Sequence, residues 1–190
     1  MQTLRRIARV IFRPGTEWSA IAVETTTPWT LLRRYVLPMA LLAPIATVVG
    51  MKNFDRTWHP VHGYLVPPDR ILAAGAATFV AIVGSILLLA AVFAAIAPMF
   101  GARRDYPAAL KVAAYGATPV MIAGATLLLP VMAIVGLVGL CHSLYLFWLG
   151  ASRVLGVPAG SAAEFVGISM VLLVLCSMLA GAAASALALF

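Results

Sequence analysis

Residues 71–102 read ILAAGAATFVAIVGSILLLAAVFAAIAPMFGA and contain no charged side chain. A membrane-spanning helix needs about 20 mostly apolar residues, so this stretch is long enough to cross a bilayer with tilt or to extend past its surface. A second uncharged stretch, 112–152, is long enough for two spans, with Pro130 as the natural turn between them. These two stretches already predict a polytopic membrane protein.

The composition of the whole chain leads to the same conclusion. Of its 190 residues, 63% are hydrophobic and 10% are charged, and the mean hydropathy is +1.04. A soluble domain carries about 25% charged residues, so we expect an all-α, polytopic membrane helical bundle with no sizeable soluble catalytic domain. Five transmembrane spans are predicted, at about 35–51, 71–100, 112–129, 131–150 and 165–190.

Two short amphipathic interfacial helices are expected ahead of the first span. Residues 1–34 would form this cytoplasmic segment, and residues 35–190 would form the five-span domain. Within the first helix, apolar and basic side chains are predicted to take opposite faces. The apolar positions are Leu4, Ile7, Ala8, Ile11 and Phe12; the basic ones, predicted to bind anionic lipids of the cytoplasmic leaflet, are Arg5, Arg6, Arg9 and Arg13.

Helix start and stop signals place the boundaries of these elements. Pro14 and Gly15 are expected to end the first helix, and the hydroxyl of Thr16 to cap the second. Pro28 is expected at the start of the helix that enters span one. The polar stretch 52–70 is predicted to be an exposed loop and 101–111 a short basic loop.

The distribution of basic residues predicts the orientation. Of the 13 Lys and Arg residues, only Lys52, Arg56 and Arg70 fall on one side of the predicted spans, and the remaining ten fall on the side of the N-terminus. The positive-inside rule therefore predicts a cytoplasmic N-terminus and, after five spans, an outside C-terminus. The same placement assigns the net charge of +7 to membrane orientation and headgroup contact, and no nucleic-acid partner is expected.

Small residues repeat along two of the predicted spans. Such ladders let helices approach closely in lipid, which predicts self-association or association with another membrane protein. The ladders are Ala73, Ala77, Ala81 and Ser85 in span two and Ser177, Gly181 and Ser185 in span five.

Prolines also interrupt the spans or their ends, and such breaks free carbonyls that can line a cavity or a hinge. These prolines are Pro38, Pro44, Pro98, Pro119 and Pro130.

Candidate sites for metal or polar chemistry are weak. His59, His62, Asp55 and Asp69 share the predicted outer loop and carry ordinary ligand types, but their spacing matches no recognised zinc pattern, so a solvated loop is the preferred interpretation. His142 is the one histidine within a predicted span and marks an intramembrane polar site as an alternative to plain packing. No metal and no cofactor is predicted.

Enzymatic activity has no support in the sequence. There is no Gly-x-Ser-x-Gly elbow and no phosphate-binding Gly-x-x-x-x-Gly-Lys loop. The predicted spans contain no Asp, Glu, Lys or Arg, which argues against a proton-coupled or ion-coupled pump. We therefore predict no catalytic residue. A passive channel or transporter that uses the proline breaks and the His142 region remains an alternative.

Several short motifs resemble those of a known family. They are Pro14-Gly-Thr-Glu-Trp18-Ser-Ala-Ile followed by Glu24, Tyr35-Val-Leu-Pro38, Tyr115-Gly-Ala-Thr-Pro119, Ser143-Leu-Tyr145-Leu through Gly150, and Leu155-Gly-Val-Pro158. In this order they resemble the Yip family of five-span membrane proteins, named for interaction with Ypt/Rab GTPases, in its bacterial Yip-domain branch. The family-motif residues are therefore taken as Pro14, Trp18, Pro38, Tyr115, Pro119, Tyr145 and Gly150.

The resemblance implies five spans and a non-enzymatic role in the bacterial cytoplasmic (inner) membrane. The Asp-Leu-Tyr-Gly-Pro motif of the eukaryotic branch has no match here, so binding of a Rab-type GTPase is not carried over. We expect a membrane-organising or protein-interaction module. The alternatives are a passive channel for a small solute, ion or lipid and, less favoured, metal sensing by the outer loop.

Overall fold

The computed structural model describes the backbone of residues 2–58, 67–128 and 133–187, and every regular element within these ranges is helical. Short π-helical segments lie at Leu32–Val36 and Ala151–Leu155, and 3₁₀ segments at Ala97–Phe100 and Gly124–Leu128. The α-helices are α1 (Gln2–Phe12), α2 (Pro14–Val23), α3 (Pro28–Leu31), α4 (Leu37–Ala40), α5 (Leu42–Trp58), α6 (Pro68–Ile96), α7 (Tyr106–Gly116), α8 (Thr118–Ala123), α9 (Ala133–Gly150) and α10 (Ala162–Leu187).

The predicted helical membrane bundle is confirmed. Among the described residues four helical stretches are long and apolar enough to cross a membrane, and a bent pair makes a fifth. The four are Pro28–Gly50, Pro68–Phe100, Ile134–Leu155 and Ala162–Ala182, and the bent pair is Tyr106–Gly116 with Thr118–Thr126. The number of spans is therefore four, or five when the bent pair counts as one span.

One predicted boundary near the first span needs correction. The polar stretch from Lys52 to Trp58 continues α5 instead of forming a loop, because it contains neither Gly nor Pro and extending a formed helix is easy. The interruptions expected at Pro38 and Pro44 are present: a π-helical segment precedes Pro38, and a turn at Leu41 precedes Pro44, which lies in the first turn of α5.

The beginnings of the helices follow their local chemistry. The Thr27 side chain accepts a hydrogen bond from the Thr30 amide, and Pro28 opens the helix as predicted. Pro14, in contrast, begins α2, and the Thr16 hydroxyl donates to the Arg13 carbonyl instead of capping. Pro14 suits the first turn because its missing N–H would have no helical partner there.

Helix α6 lies at the centre of the packing. Its Phe93 ring stacks on Phe165 of α10 at 5.2 Å between centroids and meets Phe147 of α9 edge-on at 5.8 Å. Phe100 adds a further edge contact to Phe165 at 5.5 Å. Such aromatic pairs contribute about 0.5–1.5 kcal/mol beyond the area that they bury. They fasten the ends of α6 and α9 to the start of α10.

Large apolar side chains cover the outside of the bundle. Ile134 at the start of α9 is 73% exposed, and Leu179 of α10 is 71% exposed. A soluble protein rarely exposes apolar patches of this extent, whereas a lipid-facing helix does so by necessity. The surface is consistent with residence in a bilayer.

The small-residue ladders lie on this outer surface. Ala73, Ala77, Ala81 and Ser177 are exposed, Gly181 is exposed as well, Ser85 is half-buried, and the side chain of Ser185 lies outside the described part. Close helix contacts within the chain use other small residues: a Cβ on Gly75 would stand 2.7 Å from Val48 Cγ2, and a Cβ on Gly139 would stand 2.7 Å from Ala123 Cβ. Ala73, Ala77, Ala81 and Ser177 therefore do not lie in the close helix contacts described within the chain.

Candidate functional site

Helices α1 and α2 form an antiparallel hairpin held by ion pairs. Arg9 Nε lies 3.3 Å from Glu17 Oε2, and Arg6 Nε lies 3.3 Å from Glu17 Oε1. Arg6 also binds the carboxylate of Glu24, just beyond the end of α2. The Glu17 side chain is buried, and a buried carboxylate requires such partners.

Arg6 connects this hairpin to the bundle. Its Nη1 donates to the Tyr115 hydroxyl at 3.2 Å, and its guanidinium carbon lies 5.5 Å from the centre of the Tyr115 ring, within the range of a cation–π contact. A single side chain therefore connects α1, the end of α2 and the bent span. We call the group Arg6, Glu17, Glu24, Lys111 and Tyr115 the clasp.

The charges of the clasp shift one another's ionisation. Burial alone would lower the pKa of Arg6, but the hydrogen bonds to Glu24 and Tyr115 outweigh it and raise that pKa. Burial would raise the pKa of Glu24, yet the hydrogen bonds from Arg6 and Thr26 outweigh it and lower that pKa. Both residues therefore stay charged near neutral pH.

Lys111 adds a second link between the hairpin and the bundle. It belongs to α7, which begins at Tyr106 behind an Asp105 cap, so the predicted loop of 101–111 is shorter than expected. The Lys111 ammonium donates to the Ile21 carbonyl at 3.4 Å and to the Glu24 carbonyl. A cation is favourable at the end of a helix, where carbonyl groups lack partners, so Lys111 fixes the C-terminus of α2.

The bend in the third span has a local chemical cause. Pro119 has no N–H to donate to the carbonyl of Tyr115, four residues earlier, and the Thr118 hydroxyl donates to that carbonyl at 2.6 Å instead. Because the Thr118 hydrogen is used in this way, the Tyr35 hydroxyl donates to Thr118 Oγ1, also at 2.6 Å. Next to them the Val120 amide donates to Ser143 Oγ at 3.2 Å.

Aromatic rings fill the space around this bend. The Tyr35 ring lies 4.6 Å from the Tyr115 ring in an edge arrangement. On the other side, Phe147 packs against Gly116 so tightly that a Cβ there would stand 2.5 Å from Phe147 Cε1. The bend is therefore enclosed by protein, and the Tyr115 carbonyl and the Val120 amide both have hydrogen-bond partners.

Trp18 joins α2 to the end of α9. Its side chain is fully buried, and a Cβ on Gly150 would stand 2.9 Å from Trp18 Cη2. At the surface nearby, Arg153 donates to the Ser19 hydroxyl at 2.9 Å. The hairpin thus contacts both the third and the fourth helical span, and we call it the cap.

The structure brings four of the seven motif residues into this region. Trp18 and Gly150 contact each other, while Tyr115 and Pro119 define the bend. The other three lie apart from the clasp: Pro14 begins α2, Pro38 is exposed in α4, and Tyr145 is 45% exposed, with its ring 6.0 Å from the rings of both His142 and Trp148.

The predicted amphipathic face of α1 needs correction. Arg6 points into the clasp instead of toward the membrane surface, whereas Ala8 and Phe12, expected on the apolar face, are exposed together with the remaining arginines. Val10, which was not assigned to that face, is fully buried. The helix is rotated relative to the expectation because Glu17 and Glu24 attract one arginine inward.

The charged residues of the clasp were missed at the level of sequence, although one signal was present. Glu17 and Glu24 are the only acidic residues before Asp55, and they lie seven apart, on one side of a helical segment. Two acids so placed in a basic region indicate internal pairing with an arginine.

The remaining candidates stand apart from the clasp. His59 and His62 lie outside the described residues, as does the side chain of Asp55, while Asp69 is exposed in the first turn of α6. Across the described ranges there is no group of three or more His, Cys, Asp and Glu residues that could hold a metal. His142 is half-buried in α9, and its Nε2 has no hydrogen-bond partner among the residues described.

Comparisons with known proteins add one result. The family model of the Yip1 domain matches residues 8–181, a range that includes α2, the bend and all but the last residue of the helical spans. No curated protein and no solved structure gives a match.

Proposed function

The chain belongs to the Yip1 domain family, and from this premise we propose that it is a non-enzymatic interaction module of the bacterial cytoplasmic membrane. We place the N-terminus and the cap in the cytoplasm and the C-terminus outside, as the basic residues favour. Its partners are a second copy or another membrane protein, together with anionic lipids of the cytoplasmic leaflet.

The main support for this proposal is that the charged side chains of the clasp bind one another or nearby carbonyl groups. Arg6, Glu17, Glu24 and Lys111 bind one another or backbone carbonyls, and Tyr115 is held by Arg6. Catalytic groups need access to a substrate, whereas these groups bind one another and hold the cap against the bend. The surfaces left outward are helix faces, which suit association within a membrane.

Self-association through α10 can be tested directly. Ser177 and Gly181 lie on its exposed surface, and a Cβ on Gly181 meets nothing within 4 Å. We expect Gly181→Leu to lower the fraction of oligomer in native mass spectrometry of nanodiscs without lowering the melting temperature of the protomer, because the added bulk separates neighbouring backbones. The matched control is Gly136→Leu in α9, where a Cβ is equally unopposed.

Either result of this experiment is informative. An oligomer fraction that Gly181→Leu leaves unchanged contradicts self-association through α10. Co-purification of a second protein in fixed stoichiometry, in gentle detergent at native expression, would then name the partner of the module. A chain that stays monomeric and carries no partner would contradict the interaction proposal itself.

The passive-channel alternative gains nothing from the described geometry. The carbonyl that Pro119 frees is bound by Thr118 and does not line a pathway. A cavity of about 400 Å³ between α5 and α6 is lined by apolar residues such as Val48 and Phe79. Solute flux above background in proteoliposomes would restore this alternative.

Metal sensing by the outer loop is tested by calorimetry on a His59→Ala, His62→Ala variant.

A further inference from the structure

The exposed side of α1 has a composition of its own. At 3.6 residues per turn, the four members of this side within α1 fall within about 100° of arc, and the fifth directly follows the last residue of the helix; all five are exposed. They are Arg5, Ala8, Arg9, Phe12 and Arg13. We call these five residues the outer face.

The rotation of α1 is fixed by its other side. Val10 is fully buried and Ile7 packs against the core, while Arg6 is held by Glu17, Glu24 and Tyr115. Turning the outer face inward would expose the apolar residues and break the clasp. While these contacts are formed, the outer face points away from the bundle.

The charge of the outer face is only partly balanced from within the cap, because Glu17 pairs with Arg9. The two acidic residues of the cap, Glu17 and Glu24, both pair with Arg6, and Glu17 also pairs with Arg9 through Nε. The Arg9 side chain nevertheless stays 55% exposed, and Arg5 and Arg13 are exposed as well. The field in front of α1 is positive and attracts phosphate groups.

The exposed ring of Phe12 favours a lipid surface over a soluble anion as the partner of the outer face. Its side chain is 82% exposed, one helical turn beyond Arg9 and next to Arg13. An aromatic ring among cations suits the boundary between headgroups and acyl chains, where amphipathic helices insert apolar side chains. A soluble anion or an acidic peptide would satisfy the arginines and leave the phenyl group in water.

The position of α1 agrees with this boundary. Arg6 reaches Tyr115, which lies in the bent pair of helices that together are long and apolar enough to cross a membrane. The first candidate span begins at Pro28, four residues beyond Glu24. The cap is thus attached to the bundle at the end where the chain enters the bilayer.

We propose that the outer face of α1 is a docking surface for anionic phospholipid headgroups, with Phe12 inserted at the acyl-chain boundary and Arg6 excluded from lipid binding. The inference rests on the proposed membrane module and assigns its lipid contact to particular residues. The three exposed arginines contribute the electrostatic attraction, and the phenyl group adds burial in the apolar layer.

The first test measures lipid preference. The full chain is placed in mixed phosphatidylcholine and phosphatidylglycerol membranes, and the preference for phosphatidylglycerol is measured with spin-labelled lipids. Arg5→Gln with Arg13→Gln should reduce the preference by about fivefold for each arginine removed. These two changes leave the Arg9 and Arg6 ion pairs intact, so the cap stays docked.

The matched control removes two exposed cations elsewhere. Arg103→Gln with Arg104→Gln deletes the same charge from the loop after α6 and should lower the preference less than Arg5→Gln with Arg13→Gln does. An equal loss in both double variants would overturn the assignment, because general net charge would then account for the preference.

The second test locates Phe12. In a background of Cys141→Ala and Cys176→Ala, a nitroxide is attached to a Phe12→Cys variant in nanodiscs. Phosphatidylglycerol should move the label toward oxygen and away from a water-soluble nickel chelate, compared with phosphatidylcholine alone. A label that is equally accessible to the chelate in both membranes would overturn the proposal. Oligomer state in the same nanodiscs reports separately on the interaction module.

Discussion

The ring of Trp18 occupies the space that a side chain on Gly150 would need. Trp18 Cζ2 and Cη2 would lie 3.0 and 2.9 Å from such a Cβ, and Val112 Cγ1 would lie 3.0 Å from it on another side. Contacts this short force neighbouring atoms to move. The cap and the end of α9 therefore approach each other only because residue 150 is glycine.

Gly150→Ala should lower the free energy of unfolding by about 1–3 kcal/mol, since the added methyl overpacks a filled region. Thermal unfolding in detergent, followed by circular dichroism, measures the change. Gly167→Ala in α10 is the control, because a Cβ there meets nothing within 4 Å; it should keep or raise the melting temperature, as alanine favours helix. Equal melting temperatures for both variants would contradict the Trp18 contact.

Gly116 and Phe147 should behave as a coupled pair. Gly116→Ala alone is expected to destabilise the protein because its Cβ would overlap the Phe147 ring, and Phe147→Leu alone is expected to destabilise it by loss of packing. The double variant should lose less than the sum of the two, with a coupling of about 0.5–3 kcal/mol. Simple additivity in a chemical-denaturation cycle would show that the two residues do not share this space.

Removal of the Thr118 hydroxyl should lower the free energy of unfolding more than removal of the Tyr35 hydroxyl. Thr118→Val removes the hydroxyl that donates to the Tyr115 carbonyl and leaves the buried Tyr35 hydroxyl without its partner, at a cost of about 1–3 kcal/mol. Tyr35→Phe removes one hydrogen bond and leaves the Tyr115 carbonyl satisfied, so about 0.5–1.5 kcal/mol is expected. Thr118→Ser keeps the hydroxyl and should lie nearer the unaltered chain. Tyr106→Phe, at an exposed position, is the matched control for tyrosine.

Acidification should weaken the clasp. The pKa of Glu24 is lowered from its ordinary value of 4.5 in the folded protein, so its contribution to stability is present above pH 4.5 and is lost as the pH falls through the folded value. Melting temperatures measured from neutral to acid pH should fall more steeply for the unaltered chain than for Glu24→Gln. The difference should be modest, because the Glu24 side chain is 37% exposed. Parallel pH profiles for the two proteins would count against the Arg6–Glu24 pair.

Helical architecture was predictable because uncharged length and helix caps are local properties of the sequence. Pro28 after Thr27 placed the start of a helix correctly, and the uncharged run from residue 71 forms the continuous helix α6 as far as Ile96, followed by a 3₁₀ segment. Local signals were also missed: Asp105 and Pro107 form a helix start that places Lys111 inside α7. Attention to that cap would have shortened the predicted loop.

The clasp was harder to predict because it depends on residues far apart in the chain. Arg6 and Tyr115 are separated by 109 positions, and no periodicity of α1 distinguishes Arg6 from its neighbouring arginines.

The presence of the bend was predicted, but its exact position was not: Pro119 was expected to interrupt the span, whereas the helix breaks at Ala117. The break precedes the proline because a proline disturbs the preceding turn, where its missing N–H leaves a carbonyl unpaired.

The contacts of the cap also determine when it can assemble. Ser19 and Arg153 are separated by 134 positions, and ribosomes add about 5–20 residues per second, so α2 is made roughly 7–27 s before its binding site at the end of α9 exists. Throughout that time Trp18 lacks its contact with Gly150. Closure of the cap over Gly150 therefore cannot precede synthesis of α9, and it is open only to a chain whose helix ending at Gly150 has already been inserted.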